Sequence, residues 1–156
     1  MVWYFAYGSN MNAARLKERG VAVRTRVCGR LDGWRLAFNK LRATVPVSGA
    51  GNIVPAPGEA VFGTLNETDE AGLVALDRFE GVATSQYRRD KVTVLRTDTG
   101  QPVEAITYVA LNVGADDLRP LQDYLEHLLA GRDLLPADYC ERLARVSSIG
   151  GAARSP

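Results

Sequence analysis

An aromatic and β-branched run, Val2-Trp3-Tyr4-Phe5-Ala6-Tyr7, stops at Gly8-Ser9-Asn10 and gives way to good helix formers over residues 11–19. Such a run predicts a buried strand, and a buried strand commits the chain to a sheet that its other segments must complete. The Gly-Ser-Asn turn feeds a short helix for which Gly20 is a natural stop. Backbone N–H groups at the start of a helix favour negative charge, so this turn is a candidate anion site.

The rest of the chain supplies the partners. Residues 21–31 and 34–39 predict two antiparallel strands joined at Asp32-Gly33, a dipeptide suited to a tight turn. Between residues 40 and 59 the composition shifts to Gly, Pro, Ser and Asn, with Pro46, Pro55 and Pro57, and an irregular surface loop is expected. A loop of that length is either a connector or a lid that shapes a site. Residues 60–65 predict another strand, and Asn66-Glu67-Thr68-Asp69 offers N-caps and acids for a helix that runs to Phe79 or Glu80 and ends at Gly81. Residues 87–97 and 102–111 read as a second hairpin around Asp98-Thr99-Gly100-Gln101. The leucine spacing over 116–129 predicts an amphipathic helix, Pro136 starts a last one, and residues 150–156 have the composition of a tail.

At 156 residues with 46% hydrophobic and 24% charged side chains, one domain over residues 1–149 is expected, burying about 68–70% of its unfolded surface. A formal net charge of +1 argues against a nucleic-acid partner held by phosphate neutralisation. The apolar start is too short for a membrane span or a secretory core, so a cytoplasmic location is expected. Cys28 and Cys140 have no metal-ligand spacing and are expected as free thiols. His127 is the sole histidine and reads as a partly exposed helix residue. Zinc, EF-hand, dinucleotide and P-loop chemistries therefore lack their motifs, no metal is implied, and acid–base chemistry without histidine comes into view.

Projected at 100° per residue, Leu73, Leu76, Asp77 and Glu80 share one stripe. A carboxylate among apolar neighbours is desolvated, which raises its pKa toward the range useful for proton transfer near neutrality. The competing expectation is a frayed helix end with Glu80 in solvent. Asp77 is expected to bond to backbone or to an arginine. Tyr87, seven residues beyond Glu80, is close enough in sequence to return its hydroxyl to that carboxylate, or it is a core aromatic.

Three stretches now carry a resemblance: Phe5-Ala6-Tyr7-Gly8-Ser9-Asn10-Met11, Leu76-Asp77-Arg78-Phe79-Glu80-Gly81-Val82 with Tyr87 beyond it, and Pro136-Ala137-Asp138-Tyr139-Cys140-Glu141-Arg142-Leu143. In this order they resemble the γ-glutamylcyclotransferase family, with its AIG2-like and γ-glutamylamine branches. The resemblance implies an α+β fold, a small mixed β-barrel surrounded by helices. It also implies Glu80 as the catalytic acid–base residue, a substrate loop of Tyr7, Gly8, Ser9, Asn10 and Met11, and a cavity wall of Tyr87, Tyr108 and Tyr139. Ser85 stands where a glycine is common in part of the family, which bears on substrate choice.

The implied reaction is intramolecular aminolysis of a small γ-glutamyl compound, with no cofactor. The α-amine attacks the γ-carbonyl, closes 5-oxoproline and expels the amine. Tethering of the two reacting groups supplies proximity, worth up to about 7–11 kcal/mol when well oriented. The alternatives are a binding domain of the same fold without turnover, and a Ser9 nucleophile, which lacks a GxSxG motif and an adjacent base.

Overall fold

The computed structural model describes residues 1–150, so the expected tail lies outside the described residues except for Gly150. Five strands close a mixed barrel in the order β1-β3-β2-β4-β5. They are β1 (Val2–Ala6), β2 (Thr25–Arg42), β3 (Ser48–Thr68), β4 (Tyr87–Arg96) and β5 (Pro102–Ala110). The helices are α1 (Ala13–Glu18), α2 (Glu70–Phe79), α3 (Gln122–Leu129) and α4 (Ala137–Ala144), with 3₁₀ turns at Ser9–Met11 and Val82–Thr84. The barrel implied by the resemblance is therefore present.

Closure depends on one parallel pairing, Trp3 with Ala105 and Tyr4 with Ile106, while the other pairings are antiparallel. Strand polarity then brings together the C-terminal ends of β1, β2 and β5 and the N-terminal ends of β3 and β4. Side-chain alternation sorts the core. Phe5 joins Leu31, Ile53, Val61, Leu65, Val94 and Ala105 from all five strands, a set that can meet only inside the barrel. Tyr4 and Ala6 face the other way, where Leu16, Leu73, Leu76, Leu128 and Leu143 of the helices cover them.

The expected 21–39 hairpin and the 40–59 loop are both replaced by one long β2–β3 ribbon. Asp32-Gly33 does not reverse the chain: β2 pairs with β3 on both sides of it, and the register shifts between Asp32 and Trp34. Gly33 uses its left-handed backbone, φ +84°, in a bulge. Opposite it, Pro57 and Gly58 fall in the unpaired stretch between Pro55 and Ala60. Proline is tolerated where no ladder hydrogen bond is asked of it, so a Gly/Pro composition that reads locally as loop is absorbed at an irregularity of a strand. A second shift, between Ala37 and Lys40, bulges β2 and turns its last residues.

The α3 helix is shorter than the leucine pattern predicts. Pro120 disfavours helical backbone in the residue before it, and the helix starts at Gln122 with Leu121 still extended at ψ 150°. The first helix is shorter as well: Asn12 caps it by accepting from the N–H groups of Ala14 and Arg15, and residues 9–11 form the 3₁₀ turn.

Candidate active site

Helix α2 places Glu80. Asp69 caps its start by accepting from the Gly72 N–H at 2.8 Å, and Leu73 and Leu76 fix its apolar face at 2% and 0% exposure. Gly72 has to be glycine, because a Cβ there would lie 2.2 Å from the Thr68 hydroxyl. Asp77 is held below the usual carboxylate range: burial pushes it up, and hydrogen bonds from Arg89 (2.7 and 2.6 Å) and the Tyr108 hydroxyl (2.7 Å) outweigh that. The last turn closes with the Glu80 N–H donating to Leu76 O at 2.8 Å. Gly81 then leaves the helix at φ +65°, a conformation costly for a residue with a Cβ.

Glu80 lines a cavity of about 250 Å³ at the end of the barrel where Tyr7 and Gly8 emerge. Its Oε1 accepts from the Asn10 amide at 3.1 Å, the same amide donates to the Tyr4 hydroxyl at 3.0 Å, and Arg19 donates to Asn10 Oδ1 at 3.0 Å. Burial pushes the Glu80 carboxyl up to about 7, against the opposing pull of Arg19, Arg15, Asn10 and Lys40. Desolvation dominates here, so near neutral pH this group exists in both protonation states. Burial likewise raises the Tyr4 and Tyr7 phenols, with Glu80 as the next cause, and both stay protonated.

Of the residues singled out in the sequence, Tyr7, Gly8, Ser9, Asn10, Glu80, Tyr87 and Tyr108 line this cavity. Two do not. Met11 is fully buried in the core beneath α3, its Cβ against Gly131, and Tyr139 packs edge-on against Phe62 with ring centroids 5.3 Å apart. Both face the helix–barrel core because the 3₁₀ turn and α4 direct their apolar sides inward. Of the two readings of Tyr87 the hydrogen bond to Glu80 is not made: its hydroxyl donates to Gly51 O at 2.7 Å, and its ring packs against the helix-side core.

The cavity wall includes residues that the sequence reading passed over. Tyr124 of α3 accepts from the Gly51 N–H at 2.7 Å, and its hydroxyl lies between Gly8 and Gly51, where an added Cβ on either would come within 3.0 Å of it. Both glycines thus make room for one phenol. Arg15, Arg19, Lys40 and Arg42 complete the rim. Lys40 and Arg42 come from the segment expected as loop, and only the pairing of that segment with β3 brings them here. Arg15 and Arg19 were detectable as an i, i+4 pair on the helix that follows the glycine turn. Among the described residues no three His, Cys, Asp or Glu side chains gather as a metal would need, and no helix is long and apolar enough to cross a membrane.

The chain thus combines a closed mixed barrel with an acid beside a glycine turn at one end. The AIG2-like family model matches residues 60–143. The human γ-glutamylcyclotransferase is 27% identical over 146 residues, covering 92% of this chain and 77% of the human one, and the bovine protein of that name is 28% identical over 148 residues, with the same two shares. A solved γ-glutamyl cyclotransferase structure superposes with a TM-score of 0.83 at 25% identity, covering 94% of this chain and 88% of that one. YkqA from Bacillus subtilis superposes at 0.78 with 25% identity, covering 92% of this chain and 53% of its own. The chain belongs to the AIG2-like, γ-glutamylcyclotransferase family.

Proposed function

We propose that this protein is a γ-glutamyl cyclotransferase that releases 5-oxoproline from a small γ-glutamyl compound, with Glu80 as its acid–base residue. The observation that carries the reading is the Glu80 carboxyl, held at the cavity by Asn10 and pushed up to about 7 by burial. The matched relatives named γ-glutamylcyclotransferase support the reaction class.

The substrate's α-amine arrives mostly as an ammonium ion and cannot attack until it loses a proton. Ionised Glu80 takes that proton, the freed amine adds to the γ-carbonyl, and the new C–N bond closes a five-membered ring. The protonated Glu80 then gives its proton to the departing nitrogen as the old C–N bond breaks. The ring nitrogen, which still carries two hydrogens, sheds its second proton to the re-ionised Glu80, from which it passes to the free amine. A group with pKa near 7 suits both transfers, since neither is strongly uphill. Backbone N–H groups of the glycine turn and the protonated phenols around the cavity supply donors for the developing oxyanion or the substrate α-carboxylate.

The test is Glu80→Gln, assayed for 5-oxoproline and for binding of a γ-glutamyl dipeptide. The expected result is a folded protein that binds the peptide and turns it over at least 100-fold more slowly, the lower range of a positioned acid–base group. Unchanged 5-oxoproline release would remove Glu80 from the chemistry. Ser9→Ala should leave turnover measurable, which excludes a serine nucleophile.

A further inference from the structure

The cavity carries four cationic side chains, Arg15 on α1, Arg19 at the C-terminal cap of α1, and Lys40 and Arg42 at the end of β2, against the single carboxylate of Glu80. Among the described residues none of the four is ion-paired to a carboxylate; the ion pairs present lie elsewhere on the molecule. Lys40 is buried and the three arginines are partly so. An excess of positive charge lining a concave site, with its desolvation only partly offset by Glu80, favours an anion that arrives from outside.

The four fall into two groups. Arg19 is one hydrogen-bond step from the acid, through Asn10, and Arg15 sits one turn before it on α1, its buried Nε without a protein partner. This pair lies on the side of the acid. Lys40 is 6% exposed, and its ammonium donates to Leu41 O at 2.6 Å and Gln86 Oε1 at 2.9 Å, which leaves one N–H to spare. Arg42 lies over the Tyr124 ring at 5.5 Å and has no acceptor among the described residues. This second pair follows the β2 bulge between Ala37 and Lys40 and reaches the cavity from the barrel, whereas Arg15 and Arg19 reach it from α1 and its cap.

On the cyclotransferase reading, the glutamyl end brings one α-carboxylate, and whatever else is anionic belongs to the leaving group. A simple amine offers the β2 pair nothing, a neutral amino acid offers one carboxylate, and an acidic amino acid offers two. We propose that the preferred leaving group is an acidic amino acid, its two carboxylates taken by Lys40 and Arg42 while Arg15 and Arg19 hold the glutamyl α-carboxylate. The bonds balance as before: the γ-amide C–N bond breaks, the α-nitrogen bonds the γ-carbon, and the two protons that the α-ammonium loses pass in turn through Glu80 to the nitrogen of the departing amino acid, which leaves as an ammonium.

The experiment compares γ-glutamylglutamate, γ-glutamylalanine and γ-glutamylethylamide. 5-Oxoproline release is measured on the wild type, Arg42→Gln and Lys40→Met, and calorimetric binding of the three compounds on Glu80→Gln. The expected order of kcat/KM is glutamate over alanine over ethylamide, with at least tenfold between the first two. Arg42→Gln should lower the glutamate value about 10- to 100-fold, as loss of a charge-assisted contact does, and leave the ethylamide within threefold. The same order in binding to Glu80→Gln supports the proposal even if no compound is cyclised, an outcome that overturns the reaction reading alone. Equal binding of the three, or an Arg42→Gln loss shared equally by all, overturns it. Arg42 is only partly buried, so its variant decides the matter if Lys40→Met fails to fold.

Discussion

Replacing Glu80 with glutamine keeps the size of the side chain and removes its titration, and the pH dependence of stability then reports how strongly the cavity resists a charge. Below pH 4.5 the carboxyl is protonated in the folded and unfolded chains alike. Between 4.5 and about 7 the unfolded chain releases its proton while the folded chain retains it, so stability falls as pH rises. Above 7 both forms are ionised and the loss is complete. At 1.36 kcal/mol per pH unit, the interval from 4.5 to about 7 corresponds to about 3 kcal/mol. Glutamine carries no such loss, so from pH 4 to pH 8.5 the variant should gain about 3 kcal/mol on the wild type. For a chain of this size that is a relative change of roughly 6–12 °C in midpoint. Urea unfolding across this pH range measures it directly. Parallel pH curves for the two proteins would falsify the claim that Glu80 is desolvated, and with it the basis for an acid–base role.

Four further outcomes can be checked. The kcat/KM of the wild type should rise through a pH near 7 as Glu80 ionises in the free enzyme, and a limb that stays near 4.5 would place the base elsewhere. Gly81→Ala should destabilise the protein by about 1–2 kcal/mol in thermal or urea unfolding, because an alanine must adopt φ +65° and its Cβ would lie 2.8 Å from the Gln86 side chain. Tyr139→Phe should leave KM unchanged within twofold, since its ring packs on Phe62 outside the cavity, whereas Tyr124→Phe strands the Gly51 N–H and should cost about 1–3 kcal/mol of stability.

The parts of this fold legible in the sequence are those whose physics is local. Asp69, the leucine stripe and Gly81 define α2 within a dozen residues, and the aromatic run ending in Gly8 defines β1. What escaped depends on distant partners. Residues 48–59 look like loop until β2 pairs with them, and Asp32-Gly33 looks like a turn until β3 is seen to run past it on both sides. Pro120 was the local signal that should have shortened α3. The same division runs through the site: Asn10 and Glu80 each stand in a local motif, but only the resemblance implied that they share a site, while Lys40, Arg42 and Tyr124 needed the strand pairings and the α3 contact to reach the cavity. Met11 and Tyr139 show the converse, since lying within a motif does not determine which way a side chain faces.

Glu80 and Asn10 sit at short segments while Lys40 and Arg42 ride the far end of a long ribbon, so on the proposed reading the scaffold separates its chemistry from its choice of cargo. Two exchanges on that ribbon could redirect the protein to a differently charged amine while the proton-moving apparatus stayed untouched. If the proposed chemistry holds, related chains on this architecture can diverge in diet without relearning how to make the ring.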